Sequence, residues 1–171
     1  MKQAGIIIEK VADFFGYVSG WLVPAMVLLV AVEVFMRYVL HDPAMVADEF
    51  SAYMLVGLSY MGLAYTWRQG GHVRITLLVS RLPVKVASWI RLCVLIMIFI
   101  FMIGITHAGW EMIIYARQIN LRSDTWLTFP LFWPQLTVFI GFLLLTLTLL
   151  FDIARVIVKI RAGEIVEEHS I

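Results

Sequence analysis

The sequence predicts an all-α integral membrane protein with four transmembrane helices, and three observations carry that expectation. Of 171 residues, 62% are hydrophobic and only 15% charged, with a mean hydropathy of +0.92, whereas soluble domains carry about 25% charged residues. The apolar residues gather into four runs, each long enough for a hydrocarbon core of roughly 30 Å, which takes about 20 helical residues. Finally, a backbone in lipid must satisfy its own polar groups, which a helix does within one segment and an open sheet does not. The spans are expected at about 17–38, 48–67, 86–115 and 131–155, in one membrane domain covering 1–171. These runs use up nearly all of the apolar residues, so any soluble partner is a separate chain.

The opening stretch, "MKQAGIIIEKVADFFGY", is broken by Glu9, Lys10 and Asp13 and so lacks the apolar core of a signal peptide. It is expected to stay as a short amphipathic helix at the interface. Gly16 and Gly20 then stand in GxxxG spacing, a stripe that lets another helix approach closely. At the far end of the first span Glu33 precedes Arg37 by four residues, the favourable order for a helical ion pair. An ionisable group in a span is a functional hypothesis by default, so a structural pair and a proton or ion site both remain open for Glu33.

The second span opens with "MVADEFSAY". Asp48 and Glu49 fall in its first turn, where negative side chains meet the positive end of the helix dipole. Capping accounts for one of them but does not choose between a cap and a partner contact. Arg37 is close enough in sequence for Glu33, Asp48 and Glu49 to surround it. One face of this span reads Asp48, Ala52, Leu55, Ser59, Gly62 and Thr66, mostly small or hydroxylic, again a helix-packing stripe.

Between the second and third spans, "RQGGHVRITLLVSRLP" starts with a Gly70–Gly71 turn and ends at Pro83. Ile75, Leu78, Val79 and Leu82 follow helical spacing, which predicts an interfacial helix at about 72–83. Arg68, His72, Arg74, Arg81 and Lys85 would anchor it to anionic membrane lipids. The alternation from Val73 to Val79 also fits a strand, but a lone strand at a bilayer has no pairing partner. In the third span His107 and Glu111 are spaced i, i+4, a thin basis for a metal, and no second histidine lies in a span for a bis-histidine haem. The single cysteine, Cys93, excludes an intrachain disulfide. Walker, HExxH, GxSxG and CxxC motifs are all missing, so no enzyme and no nucleic-acid binder is expected. Pro130 and Pro134 place the start of the fourth span, since proline is tolerated in a first turn but not deep in a helix; Ser123 or Asp124 would cap a short turn before it.

Ten of the 13 Lys and Arg flank the spans on the side of both termini, and three lie on the other. The positive-inside rule then puts the N- and C-termini in the cytoplasm. All six tryptophans fall near span ends, where indoles favour the headgroup layer.

Taken in order, "RYVLHDPAMVADEFSAYMLVGLSYMGLAYTWRQGGHVRI" shows an Arg-Tyr pair, an acidic doublet, a glycine within the second span and then R-x-G-x-H-V. With four spans, the chain length and the "FPLFWP" approach to the last span, it resembles the small membrane subunit (Q-type, DctQ-like) of tripartite ATP-independent periplasmic (TRAP) transporters. The recurring family positions would be Arg37, Glu49, Gly62, Arg68, Gly70, His72, Ser123 and Pro130. Val46 departs from the pattern, where members often carry tryptophan. The resemblance implies a scaffold in a bacterial inner membrane that braces a large multi-span permease subunit. That permease would hold the sodium sites, with no cofactor in this chain, and would take up an organic acid delivered by a periplasmic binding protein. The rival from another class is a self-sufficient, dimeric, proton-coupled transporter using Glu33; it would require that carboxylate in a mid-membrane cavity.

Overall fold

The computed structural model describes residues 2–70, 84–125 and 127–162. The chain forms α1 (Lys2–Phe35), a π-helical turn (Met36–Leu40), α2 (Ala47–Met61), α3 (Leu63–Arg68), α4 (Val84–Gln118) and α5 (Phe132–Ala162). Among the described residues, three helical stretches are long and apolar enough to cross a membrane: Gly5–Leu40, Val86–Gln118 and Phe132–Ile160.

The second expected span is divided. α2 ends at Gly62, yet the Gly62 N–H still reaches the Leu58 carbonyl at 3.3 Å, and the Thr66 N–H reaches the Gly62 carbonyl at 2.9 Å. The i→i−4 ladder therefore carries α2 into α3 with a one-residue irregularity at the glycine, the poorest helix former after proline.

The amphipathic opening is not a separate element. Lys2–Phe35 is one helix that continues through Pro24, which lacks the N–H that would have met the carbonyl of Gly20 and whose ring crowds that carbonyl. Glu9, Lys10 and Asp13 interrupt the apolar pattern without breaking the helical backbone, because Glu and Lys are good helix formers. α1 closes in a π turn capped by His41 in the left-handed region (φ 57°), with the Met36 carbonyl accepting the Asp42 N–H at 3.2 Å. The interfacial helix expected at 72–83, with His72, Arg74 and Arg81, lies outside the described residues. Lys85 lies in the first turn of α4, and its side chain is likewise outside them.

α5 is the hub, packing on α4, α2, α3 and α1. Its buried residues Leu145, Leu149, Asp152 and Val156 recur at helical spacing. Leu145, Leu149 and Val156 meet Leu92 and Leu95 of α4 in the larger core cluster, and Leu144 packs with Ala12 and Ala64 in the smaller one. Higher up, the hydroxyls of Thr106 and Thr146 lie 3.0 Å apart. Gly141 lets α2 touch α5: a Cβ there would sit 2.2 Å from the Tyr60 carbonyl oxygen. The described residues of the 119–131 connection form a small hairpin. Leu131 donates its N–H to the Leu121 carbonyl at 3.1 Å, and Ser123 donates to Phe129 at 2.9 Å. The bundle thus has a hairpin end, with this loop and the 41–46 segment, and a terminal end, with the start of α1 and the last turns of α5.

Candidate functional site: polar clusters at the two ends

At the hairpin end the expected four-residue cluster separates into two. Glu33, 6% exposed, accepts from the Arg37 guanidinium at 3.2 Å and from the Met45 backbone N–H at 3.1 Å. It therefore fixes the end of α1 and the segment leading into α2, where Met45 has φ 54°. Glu49, 8% exposed, is held elsewhere. Tyr53, one turn on, donates its hydroxyl at 2.5 Å, and Thr125 of the hairpin donates from the other side. Ser123 completes the chain, its hydroxyl 2.7 Å from that of Thr125. Rings seat this arrangement: Phe129 lies 5.4 Å from Phe50 and 5.3 Å from Tyr53, centroid to centroid. Pro130 pairs in the short bridge with Arg122.

Glu49 therefore belongs to the buried face of α2 and meets the hairpin rather than Arg37. Asp48, its neighbour, points to the exposed face. Neither makes a side-chain cap: the N-cap residue is Val46, which has no side-chain cap hydrogen bond, and both acids lie in the first turn.

The terminal end carries a larger network that the sequence pattern did not single out. Arg68 donates to Asp13 at 2.5 Å and to the Glu9 carbonyl at 2.8 Å, and the Glu9 carboxylate also receives Arg155. Trp67 donates its indole N–H at 2.8 Å to Asp152, which is 4% exposed and lies 4.0 Å from Arg155. α1, α3 and α5 are joined there through charged groups. Arg68, expected to meet lipid headgroups, is engaged by the protein instead. One signal was available: Glu9 and Asp13 stand i, i+4 on α1, as do Glu49 and Tyr53 on α2. Nothing local marks Arg68 as their partner, 55 and 59 positions away.

The expected packing stripes fare unevenly. Gly16 accommodates the Tyr65 ring, which a Cβ would approach to 2.4 Å, while Gly20 faces open space. Gly62 faces Ser19 of α1. Ala52 and Ser59 are exposed along with Asp48, Leu55 and Thr66, so most of that stripe is uncovered by the chain itself.

Long apolar helices with polar groups knotted at their two ends define a helical membrane protein. Comparison with known proteins narrows the class. Residues 26–159 match the family described as "Tripartite ATP-independent periplasmic transporters, DctQ component", and the chain belongs to that family, one of transporter components. A Haemophilus influenzae protein bearing the provisional name TRAP transporter small permease protein is 26% identical over 98 residues, 57% of this chain and 58% of that protein. The chain thus spans a little over half the length of this curated relative.

Proposed function

We propose that the chain is a scaffold that braces the large permease subunit of a TRAP transporter, which takes up an organic acid with sodium after delivery by a periplasmic binding protein. On this reading α2 and α3 together form the second span, about 33 Å long at 1.5 Å per residue, and bring the number of spans to four. The terminal end faces the cytoplasm of a bacterial cell and the hairpin end the periplasm, in keeping with the ten-to-three split of basic residues.

The observation that carries the scaffold reading is the state of the buried carboxylates. Glu33, Glu49 and Asp152 each accept hydrogen bonds from donors of the same chain. Such groups are committed to holding helices together; a coupling carboxylate needs a free valence toward a cavity. Family membership supports the partners. The test is reconstitution: uptake should require this chain, its permease and the binding protein together. Substrate accumulation in vesicles containing this chain alone would overturn the scaffold reading in favour of the self-sufficient transporter.

A further inference from the structure

His107 and Glu111 of α4 lie on the outside of the bundle, with side chains 71% and 70% exposed. Their depth follows from the α4–α5 contacts. Thr106 meets Thr146, and Trp110 packs on Phe139 at 5.5 Å, so His107 is level with the middle of the stretch from Phe132 to Asp152. That stretch is about 30 Å long, which places His107 roughly 15 Å from either end and Glu111 one turn nearer the hairpin. The surrounding surface is apolar and also exposed, including Ile100, Phe101, Ile103 and Trp110. An imidazole near mid-depth and, one turn nearer the hairpin end and beside Trp110, a carboxylate therefore project from an apolar span, away from the bundle.

The pair does not satisfy itself. Nδ1 of His107 is 3.7 Å from Oε1 of Glu111, beyond hydrogen-bonding distance, and neither side chain bonds another described residue. Lipid tails offer no donor or acceptor, and intramembrane ionisable residues are found against protein or water-filled cavities. The backbone beside the pair is also open to close approach: Gly104 and Ala108 are four residues apart and exposed, and a Cβ on Gly104 would meet nothing within 4 Å. Small residues in this spacing beside hydrogen-bonding side chains are how membrane helices dock.

We propose that this face of α4 is the docking surface for a transmembrane helix of the large permease, which presents, level with the His107–Glu111 pair, a side chain able both to donate to Glu111 and to accept from His107, such as a hydroxyl or a carboxamide. The proposal rests on the permease partnership above and adds the surface that serves it. The α2 stripe of Ala52 and Ser59 lacks such a demand, because Ser59 already bonds its own helix at Leu55.

The experiment is co-purification of the complex from membranes with the chain tagged, comparing wild type with H107L/E111L, a change that keeps the span apolar and helical. The variant should accumulate in the membrane as wild type does but retain about tenfold less permease, the effect of one or two lost interhelical hydrogen bonds. In a C93S background, A108C should cross-link to the permease. Full retention of permease by the variant overturns the proposal while leaving the partnership intact, and A108C cross-links to a second copy, or lipid-like accessibility at that position in the complex, do so equally. A wild-type chain that retains no permease overturns both.

Discussion

Asp152 in α5 accepts the indole N–H of Trp67 at 2.8 Å, joining residues 85 positions apart at the terminal end of the bundle. The carboxylate is 4% exposed, so removing the donor strands a buried acceptor, which costs about 1–3 kcal/mol. Trp67→Phe and Asp152→Leu should each destabilise the chain by about that amount. The double variant should be distinctly more stable than the sum of the two predicts, because it leaves neither polar group orphaned. Equilibrium unfolding in mixed micelles measures all three. Strict additivity, within about 0.5 kcal/mol, would show that the two groups are not coupled.

Glycines separate packing within the chain from surface left open. A methyl group on Gly141 would run into the Tyr60 backbone, and one on Gly16 into the Tyr65 ring, whereas one on Gly20 meets nothing. Gly141→Ala should cost the most, about 3 kcal/mol or more, since backbone yields less readily than a ring; Gly16→Ala should cost about 1–3 kcal/mol. Gly20→Ala should be neutral or stabilise the isolated chain by up to about 1 kcal/mol through helix propensity. Thermal unfolding in detergent ranks them. A drop in stability for Gly20→Ala comparable to that for Gly16→Ala would mean that both glycines face a neighbour within the chain.

The long helices were legible in the sequence because the signal is length and apolarity, which lipid demands of any span. The Glu33–Arg37 pair was legible for a similar reason: both residues lie on one helix, and i, i+4 spacing alone brings them together. Glu49 was not. Its position beside Asp48 suggested a cap or a place near Arg37, but one step around a helix is about 100°. That rotation puts Asp48 outside and Glu49 inside, against a hairpin 76 residues further on. The Arg68–Asp13–Glu9–Arg155 network was hidden in the same way, its members spread over three helices whose register only tertiary packing sets. The division of the second span at Gly62 had a local cue, the glycine itself, but the neighbouring apolar residues read straight across it.

The Glu49–Thr125 contact fastens the hairpin to α2. Thr125→Val and Glu49→Ala should therefore loosen the hairpin without melting the spans. Amide exchange should speed up at Ser123 and Leu131, whose N–H groups close the hairpin, by about tenfold for each 1.4 kcal/mol of local stability lost. The α4–α5 core amides should keep their protection. Glu49→Gln should also lower uptake or complex yield in the assembled transporter. Unchanged exchange in both Thr125→Val and Glu49→Ala would remove the fastening role.

Glu33 permits a sharper test, because its two roles predict opposite orders of severity. If it is a structural acceptor, Glu33→Gln keeps an oxygen for the Met45 N–H and the Arg37 guanidinium, both now bonded to the same Oε1. Uptake by the full transporter should then stay close to wild type. Arg37→Ala should be worse, since it leaves a carboxylate that is 6% exposed with one donor fewer, a loss of about 1–3 kcal/mol. If Glu33 instead carried a coupling proton, the glutamine would abolish transport outright, while loss of the half-exposed arginine would chiefly shift its pH dependence. Measuring uptake for the two variants across pH, with complex yield as a control for assembly, separates these orders. A dead Glu33→Gln beside an active Arg37→Ala would end the scaffold interpretation of this end of the bundle.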